Sequence, residues 1–141
     1  MSVLSDGDLR RAIAAGEIGV DPFNDEDIQP ASIDLHLDKS FRVFRNNRYG
    51  FIDPSVDQPG LTELEVVSGA EPFMLHPSEF VLGQTLERIS VGSSLLGRLD
   101  GKSSLGRLGL LIHSTAGYVD PGRVGNRTLE LGNVEIGRAH V

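Results

Sequence analysis

The chain has 141 residues, 39% hydrophobic and 23% charged, with no cysteine and a net charge of −7. That length fits one domain with a real core, the lack of cysteine excludes disulfides and thiolate metal sites, and the acidic balance argues against nonspecific nucleic-acid binding. No apolar run could span a membrane and MSVLSDGD lacks the basic-then-apolar order of a signal peptide, so the expectation is a cytoplasmic protein that binds neither membrane nor nucleic acid.

The first predicted element is a short N-terminal helix. Ser5 is a good N-cap, Asp8 stands three residues on as in a capping box, and Leu4 and Leu9 can form a hydrophobic staple. Leu9, Ala12 and Ile13 give one apolar face, and Gly16 is a natural stop. The period then changes to two: Ile33, Leu35 and Leu37 alternate with Ser32, Asp34 and His36, as in a half-buried strand. Further strands are expected at 41–44, 73–75, 80–86, 94–99, 108–113 and 127–131. Turn signals at Asp53-Pro54, Pro59-Gly60, His76-Pro77 and Pro121-Gly122 punctuate them. Many short strands between regular turns imply a mainly β fold, a barrel or jelly roll.

The stretch GKSSLGRLGLLIHSTAGYVDPG, residues 101–122, carries the chemistry. Glycines let backbone amides approach an anion, and Lys102 and Arg107 supply charge beside the hydroxyls of Ser103 and Ser104. With Arg98 they form a cationic island opposed only by Asp100, which suits a small polyphosphate better than a nucleic-acid backbone. Gly97 to Ser103 is almost a P-loop, but it has three residues between its glycines where four are required, and the apolar run after it reads as a strand. A second polar turn carries Asp120, and eight residues later Thr128-Leu129-Glu130 puts a carboxylate in a short alternating strand. Phosphate loop, sugar-binding turn and carboxylate together point to a nucleotide site.

These residues match a family. GKSSLGRLGL, then HSTAGYVDPG, then TLEL, with the earlier QPASIDL at 29–35, resembles the dCTP deaminases, a branch of the trimeric dUTPase superfamily, over about 4–134. The resemblance implies a dUTPase-like distorted β-barrel with a short N-terminal helix. It further implies a homotrimer with sites between subunits and dCTP as substrate. Deamination at C4 needs a base for the attacking water and an acid for N3 and the departing amine. Zinc deaminases use H-x-E with P-C-x-x-C, which a chain without cysteine and with four scattered histidines does not offer, so no zinc is expected.

By resemblance Glu130 is the proton shuttle and Ser103 orients the water. Lys102, Ser104 and Arg107 bind the triphosphate from a neighbouring subunit, Ser103, Leu105 and Gly106 belong with them to the substrate-binding set, and Asp120 meets the sugar 3′-hydroxyl. Thr128 and Leu129 complete the substrate-binding set. Magnesium is expected with the triphosphate. Without the motif context Glu130 would read as a solvent-facing strand glutamate, and Asp120 as a plain turn former. His113 reads as a core histidine. Gly117-Tyr118 resembles the Gly-aromatic pair of members that also cleave the triphosphate, where deaminases that release dUTP carry His-Arg. The activity implied is therefore dCTP to dUMP, ammonia and pyrophosphate. The alternatives are a deaminase that stops at dUTP, a dUTPase, or a non-catalytic nucleotide sensor on the same fold.

Two positions depart from the family pattern: Arg123 where an aromatic is expected and Arg127 where a β-branched or apolar residue is usual. Residues 135–141 neither continue a strand nor resemble the family, and back-translated they spell a sequencing-library adapter. The expectation is a family domain over 1–134, incomplete at its C-terminus, with a non-native tail over 135–141. The strand at 127–131 would then lack a closing partner, and the chain as it stands would be nearly inactive.

Overall fold

The computed structural model describes residues 2–45, 49–112, 115–134 and 139–140. In chain order the elements are α1 (Asp6–Ala14), β1 (Ile18–Asp21), a 3-10 turn (Asp25–Asp27), β2 (Ile28–Gln29), β3 (Ser32–Ile33), β4 (Ser40–Phe44), β5 (Thr62–Val66), β6 (Met74–Leu75), β7 (Phe80–Gln84), β8 (Arg88–Val91), β9 (Gly97–Arg98), α2 (Ser103–Gly106), β10 (Leu110–Ile112), β11 (Tyr118–Val119), β12 (Val124–Gly125), β13 (Thr128–Asn133) and β14 (Ala139–His140). The fold is mainly β with one N-terminal helix of more than a single turn, the class expected. Contacts divide the chain into two compact units that interleave in sequence.

The first unit comprises Met1–Asp38, Gln84–Asp100 and Thr115–Thr128. Its helix starts as the sequence requires. Ser5 Oγ accepts from the Asp8 N–H at 3.3 Å, and Asp8 Oδ2 accepts from the Ser5 N–H at 3.3 Å, closing the capping box. It also ends as expected. Gly16 sits at φ +74, its N–H donates to Ile13 O, and the Glu17 N–H reaches back to Ala12 O, the paired bonds of a Schellman motif. Leu9 and Ala12 are buried. The sheet runs β1-β8-β12, all antiparallel, with β11-β9 and β2-β3 as separate pairs. Ile89, Val91 and Val119 form its core, with Leu35 and Leu95 packed against them. Gly97 packs closely there: a Cβ would lie 3.0 Å from the Val119 Cβ, so any side chain would have to push Val119 aside.

The expected strand from Ser32 to Leu37 is interrupted. Only Ser32–Ile33 pairs as a strand, Leu37 makes an isolated bridge to Thr85, and between them the His36 N–H donates to the buried carboxylate of Glu87 at 3.0 and 3.2 Å. A side chain has taken a ladder position, which alternation of residue types cannot reveal.

The second unit comprises Lys39–Gly83, Gly101–Ser114 and Leu129–Val141. A five-stranded sheet ordered β10-β13-β7-β4-β5 dominates it, and β14 pairs with β6. Strict alternation on β13 buries Leu129, Leu131 and Asn133 and turns Thr128, Glu130 and Gly132 the other way. Phe41 stacks on Phe73 with ring centroids 4.2 Å apart, near-completely buried Leu75, Val81 and Leu131 extend this core, and Asn133 Nδ2 donates to Leu75 O at 3.0 Å. β13 has partners on both sides, β10 and β7, so the expectation that it lacks a closing strand is wrong. β5 was not foreseen. Its alternation is present in TELEV, but Leu64 and Val66 lie exposed, while Glu63 and Glu65 hold Arg45 at 2.7 and 2.9 Å.

Candidate functional site

The glycine-rich loop adopts a form the sequence did not announce. Ser103–Gly106 is one helical turn, α2, closed by bonds from the Gly106 N–H to Lys102 O and from the Arg107 N–H to Ser103 O. It stops at Gly106 and strand β10 follows, so this is not the long helix behind a P-loop. Every residue from 101 to 108 is exposed, which leaves the Ser103 and Ser104 hydroxyls and the Arg107 guanidinium facing solvent. The loop is fixed at both ends. Gly101 lies against Ile112, where an added Cβ would stand 3.3 Å from the Ile112 Cβ, and Gly109, at φ +83, accepts from the Val134 N–H at 3.0 Å.

Those anchors connect the loop to Glu130. β10 pairs with β13 in the register Leu110↔Asn133, Leu111↔Gly132 and Ile112↔Leu131. On the other edge of β13, the Asn133 N–H donates to Glu79 O and the Thr85 N–H to Arg127 O, which sets Glu130 opposite Leu82. Register and pleat together put Glu130, half-buried, on the sheet face away from Leu129 and Leu131. Lys102, Ser103, Ser104, Leu105, Gly106, Arg107, Leu129 and Glu130 thus belong to one compact unit. Leu129 is 6% exposed, so it supports the strand from the core side.

Gly117, Tyr118, Asp120 and Thr128 belong to the other unit. Tyr118 pairs with Arg98 across the β11-β9 ladder and is 65% exposed, free to lie against a planar or sugar surface. The Gly117 carbonyl accepts from the Leu99 N–H at 2.7 Å. Asp120-Pro121-Gly122-Arg123 is a type II turn: Pro at the second position, Gly122 at φ +76, and the Arg123 N–H donating to Asp120 O at 3.2 Å. The turn is tied to β8 by the Gly122 N–H to Val91 O bond at 2.7 Å, so the exposed Asp120 carboxylate is presented from a held backbone. Asp100 opposes Arg98 as the sequence reading has it, with its Oδ2 3.0 Å from Arg98 Nε. His113 lies outside the described residues.

Sequence reading missed the buried polar network around Thr85. Thr85, fully buried, donates through Oγ1 to Glu87 O at 2.8 Å and accepts there from the Arg127 N–H at 2.9 Å. The Asn126 side-chain amide faces three successive carbonyls, of Thr85, Leu86 and Glu87, at 2.9 to 3.3 Å. Glu87, 2% exposed, accepts from the His36 N–H and lies 2.7 Å from His36 Nδ1, and this bond holds the His36 pKa above its ordinary value. The only sequence signal for any of this was Gly125-Asn126, which reads as a turn.

Among the described residues no three His, Asp or Glu side chains gather to hold a metal. A cavity of about 420 Å³ lined by Arg45, Glu65, Glu71, His76 and Glu79 includes none of the expected site residues. No helix among the described residues is long and apolar enough to cross a membrane.

Residues 3–138 match the family model described as dCTP deaminase-like. Curated relatives named "dCTP deaminase, dUMP-forming" include those of Parafrankia sp. (strain EAN1pec), 60% identical over 94% of this chain and 66% of the relative, Acidothermus cellulolyticus, 60% identical over 94% and 69%, and Thermobifida fusca, 58% identical over 94% and 67%. The chain thus spans about two thirds of their length. Among solved structures, the 2′-deoxycytidine 5′-triphosphate deaminase of Agrobacterium tumefaciens matches with a TM-score of 0.68 at 20% identity, over 93% of this chain and 41% of that one, a likeness of fold.

Proposed function

We propose that this chain, which belongs to the dCTP deaminase-like family, carries the catalytic part of a hydrolase that converts dCTP and two waters to dUMP, ammonia and pyrophosphate. The observation that carries the reading is the placement of Glu130: register sets it on the outward face of β13, in the same unit as the loop holding Ser103 and Arg107. Ser103 orients a water toward C4 of the cytosine. Glu130 takes the water's proton and passes it to N3, then takes the proton of the new C4 hydroxyl and gives it to the amine as the C4–N bond breaks and the carbonyl forms, so one carboxylate serves as base and acid in turn. Lys102, Ser104 and Arg107 hold the triphosphate with charge-assisted bonds.

Asp120 accepts from the 3′-hydroxyl and lies near the second water, which attacks the α-phosphorus as pyrophosphate leaves. Tyr118 packs against the deoxyribose, and the absent side chain of Gly117 leaves room for that second step. Magnesium, when bound with the triphosphate, neutralises phosphate charge. By the family resemblance, we assign the working form as a cytoplasmic homotrimer in which neighbours complete each site.

The deciding experiment incubates the full-length protein with dCTP and magnesium and follows ammonia, dUTP, dUMP and pyrophosphate together. Ammonia and pyrophosphate in equal amounts are expected. Ammonia with dUTP and no pyrophosphate would reduce the activity to deamination alone. No turnover of dCTP with tight binding would make the protein a nucleotide sensor. Exchanging Gly117-Tyr118 for His-Arg is expected to suppress pyrophosphate release more than ammonia release.

A further inference from the structure

Arg127 occupies a position that an apolar residue would fill more easily. It lies two residues before Leu129 and so shares the inward parity of Leu129 and Leu131. Its backbone is fully engaged, with the N–H donating to Thr85 Oγ1 and the carbonyl accepting from the Thr85 N–H, both at 2.9 Å. Its side chain is not. Nη2 reaches Ile89 O only at 3.5 Å, and Nε is buried with no hydrogen-bond partner among the described residues. A buried guanidinium N–H without an acceptor is costly, and native structures keep few of them without a reason.

The second arginine that departs from the expected pattern stands beside it. Arg123 closes the turn after Asp120, and its carbonyl accepts from the Val91 N–H on β8, while Arg127 reaches the same strand at Ile89 two residues away. Burial pushes the Arg127 pKa down, Arg123 pushes it further the same way, and Asp120 opposes both. Arg123 and Asp120 both lie close enough to act on the Arg127 charge, with opposite sign, in a chain whose net charge is −7. That pairing leaves an excess positive charge and an unmet donor at one place.

We propose that Arg123 and Arg127 form a binding site for a phosphate-class oxyanion, separate in its residues from the Lys102–Arg107 loop. Two planar donor forks match the tetrahedral oxygens of phosphate or diphosphate, and a bound oxyanion would take the Nε–H of Arg127 and cancel the repulsion between the guanidiniums. Asp120, at the same turn, then ties occupancy of this site to the aspartate expected to meet the nucleotide sugar.

Arginine Nε–Hε signals of the 15N-labelled full-length protein test this directly, with sodium phosphate, sodium diphosphate and dUMP as separate probes. A saturable shift of the Arg127 Nε–Hε signal is expected. It should survive Lys102→Ala/Arg107→Ala and weaken at least tenfold in apparent affinity in Arg123→Gln, whose exposed position leaves folding intact. A response to the inorganic anions but not to dUMP makes the ligand a free oxyanion; a tighter response to dUMP makes it a nucleotide phosphoryl group. Either supports the site. No saturable shift with any probe, or a shift abolished by Lys102→Ala/Arg107→Ala and untouched by Arg123→Gln, overturns it.

Discussion

Two polar regions behave in opposite ways. From 101 to 108 every residue is exposed, and the loop's own backbone bonds span three or four residues. Around Thr85 to Glu87 and Asn126 to Arg127 the polar atoms are largely buried, and their bonds join residues about forty apart in sequence. Hydrogen bonds already made to the protein cannot be offered to a ligand, while exposed hydroxyls and guanidiniums can. The first segment is built to bind and the second to hold. Their responses to substitution should therefore separate cleanly into activity and stability.

The largest separation belongs to Glu130, which the first segment serves. Glu130→Gln keeps shape and hydrogen bonding but removes the proton shuttle, so ammonia release should fall about 10²- to 10⁴-fold. Binding of dCTP, measured by calorimetry, should stay within about twofold. Ammonia release near the wild-type rate would take Glu130 out of the mechanism. Next comes Arg107→Ala. Losing a charge-assisted bond, worth about 1.5–3 kcal/mol, should weaken dCTP binding by roughly 10- to 100-fold. Because Arg107 is exposed, unfolding should change by no more than about 0.5 kcal/mol. Unchanged affinity would make it a solvated surface cation.

Thr85→Val reverses the pattern. The substitution keeps volume but strips the hydroxyl that bonds Glu87 O and the Arg127 N–H, leaving a buried donor and a buried acceptor poorly met. Stability should drop by about 1–3 kcal/mol in urea titration, with turnover per folded molecule unchanged. Equal loss of turnover and stability would show that the network belongs to the chemistry and not only to the scaffold.

The contrast also explains what could be read without coordinates. Side-chain-to-backbone rules within a few residues gave the α1 cap and its glycine stop, because both partners lie within one turn. Short apolar or alternating runs between turn signals gave β4, β7, β10 and β13 to within a few residues, and strand β13 placed Glu130 and Leu129 on opposite faces. The glycine-rich loop could be located by its composition, but its helical turn could not, since Lys-Ser-Ser-Leu-Gly has no strong helical signal. The interruption at His36 and the knot at Thr85 depend on residues some fifty and forty positions away. No local pattern encodes such partners. Arg127 stood out as an anomaly, but the orphaned Nε is visible only once the strand is placed.

The smallest expected effect lies inside the holding segment. Glu87 supports His36 at 2.7 Å through Nδ1, with Asp27 at 3.9 Å from Nε2 and Asp34 also acting on the ring. These carboxylates raise the His36 pKa above 6.5 in the folded state, so the folded protein binds a proton there more tightly than the unfolded chain. The resulting stabilisation is fully present below about pH 6.5, the unfolded value, and is lost as pH rises through the raised folded value. Since the ring is about half exposed and screened by solvent, the effect should not exceed about 1 kcal/mol. Urea titrations of wild type and His36→Asn at intervals from pH 5.5 to 8.5 should give a difference that is largest at the acid end and shrinks with rising pH. Parallel curves would mean that Glu87 serves His36 through the backbone N–H alone, and that the ring carries no pH-dependent share of the knot.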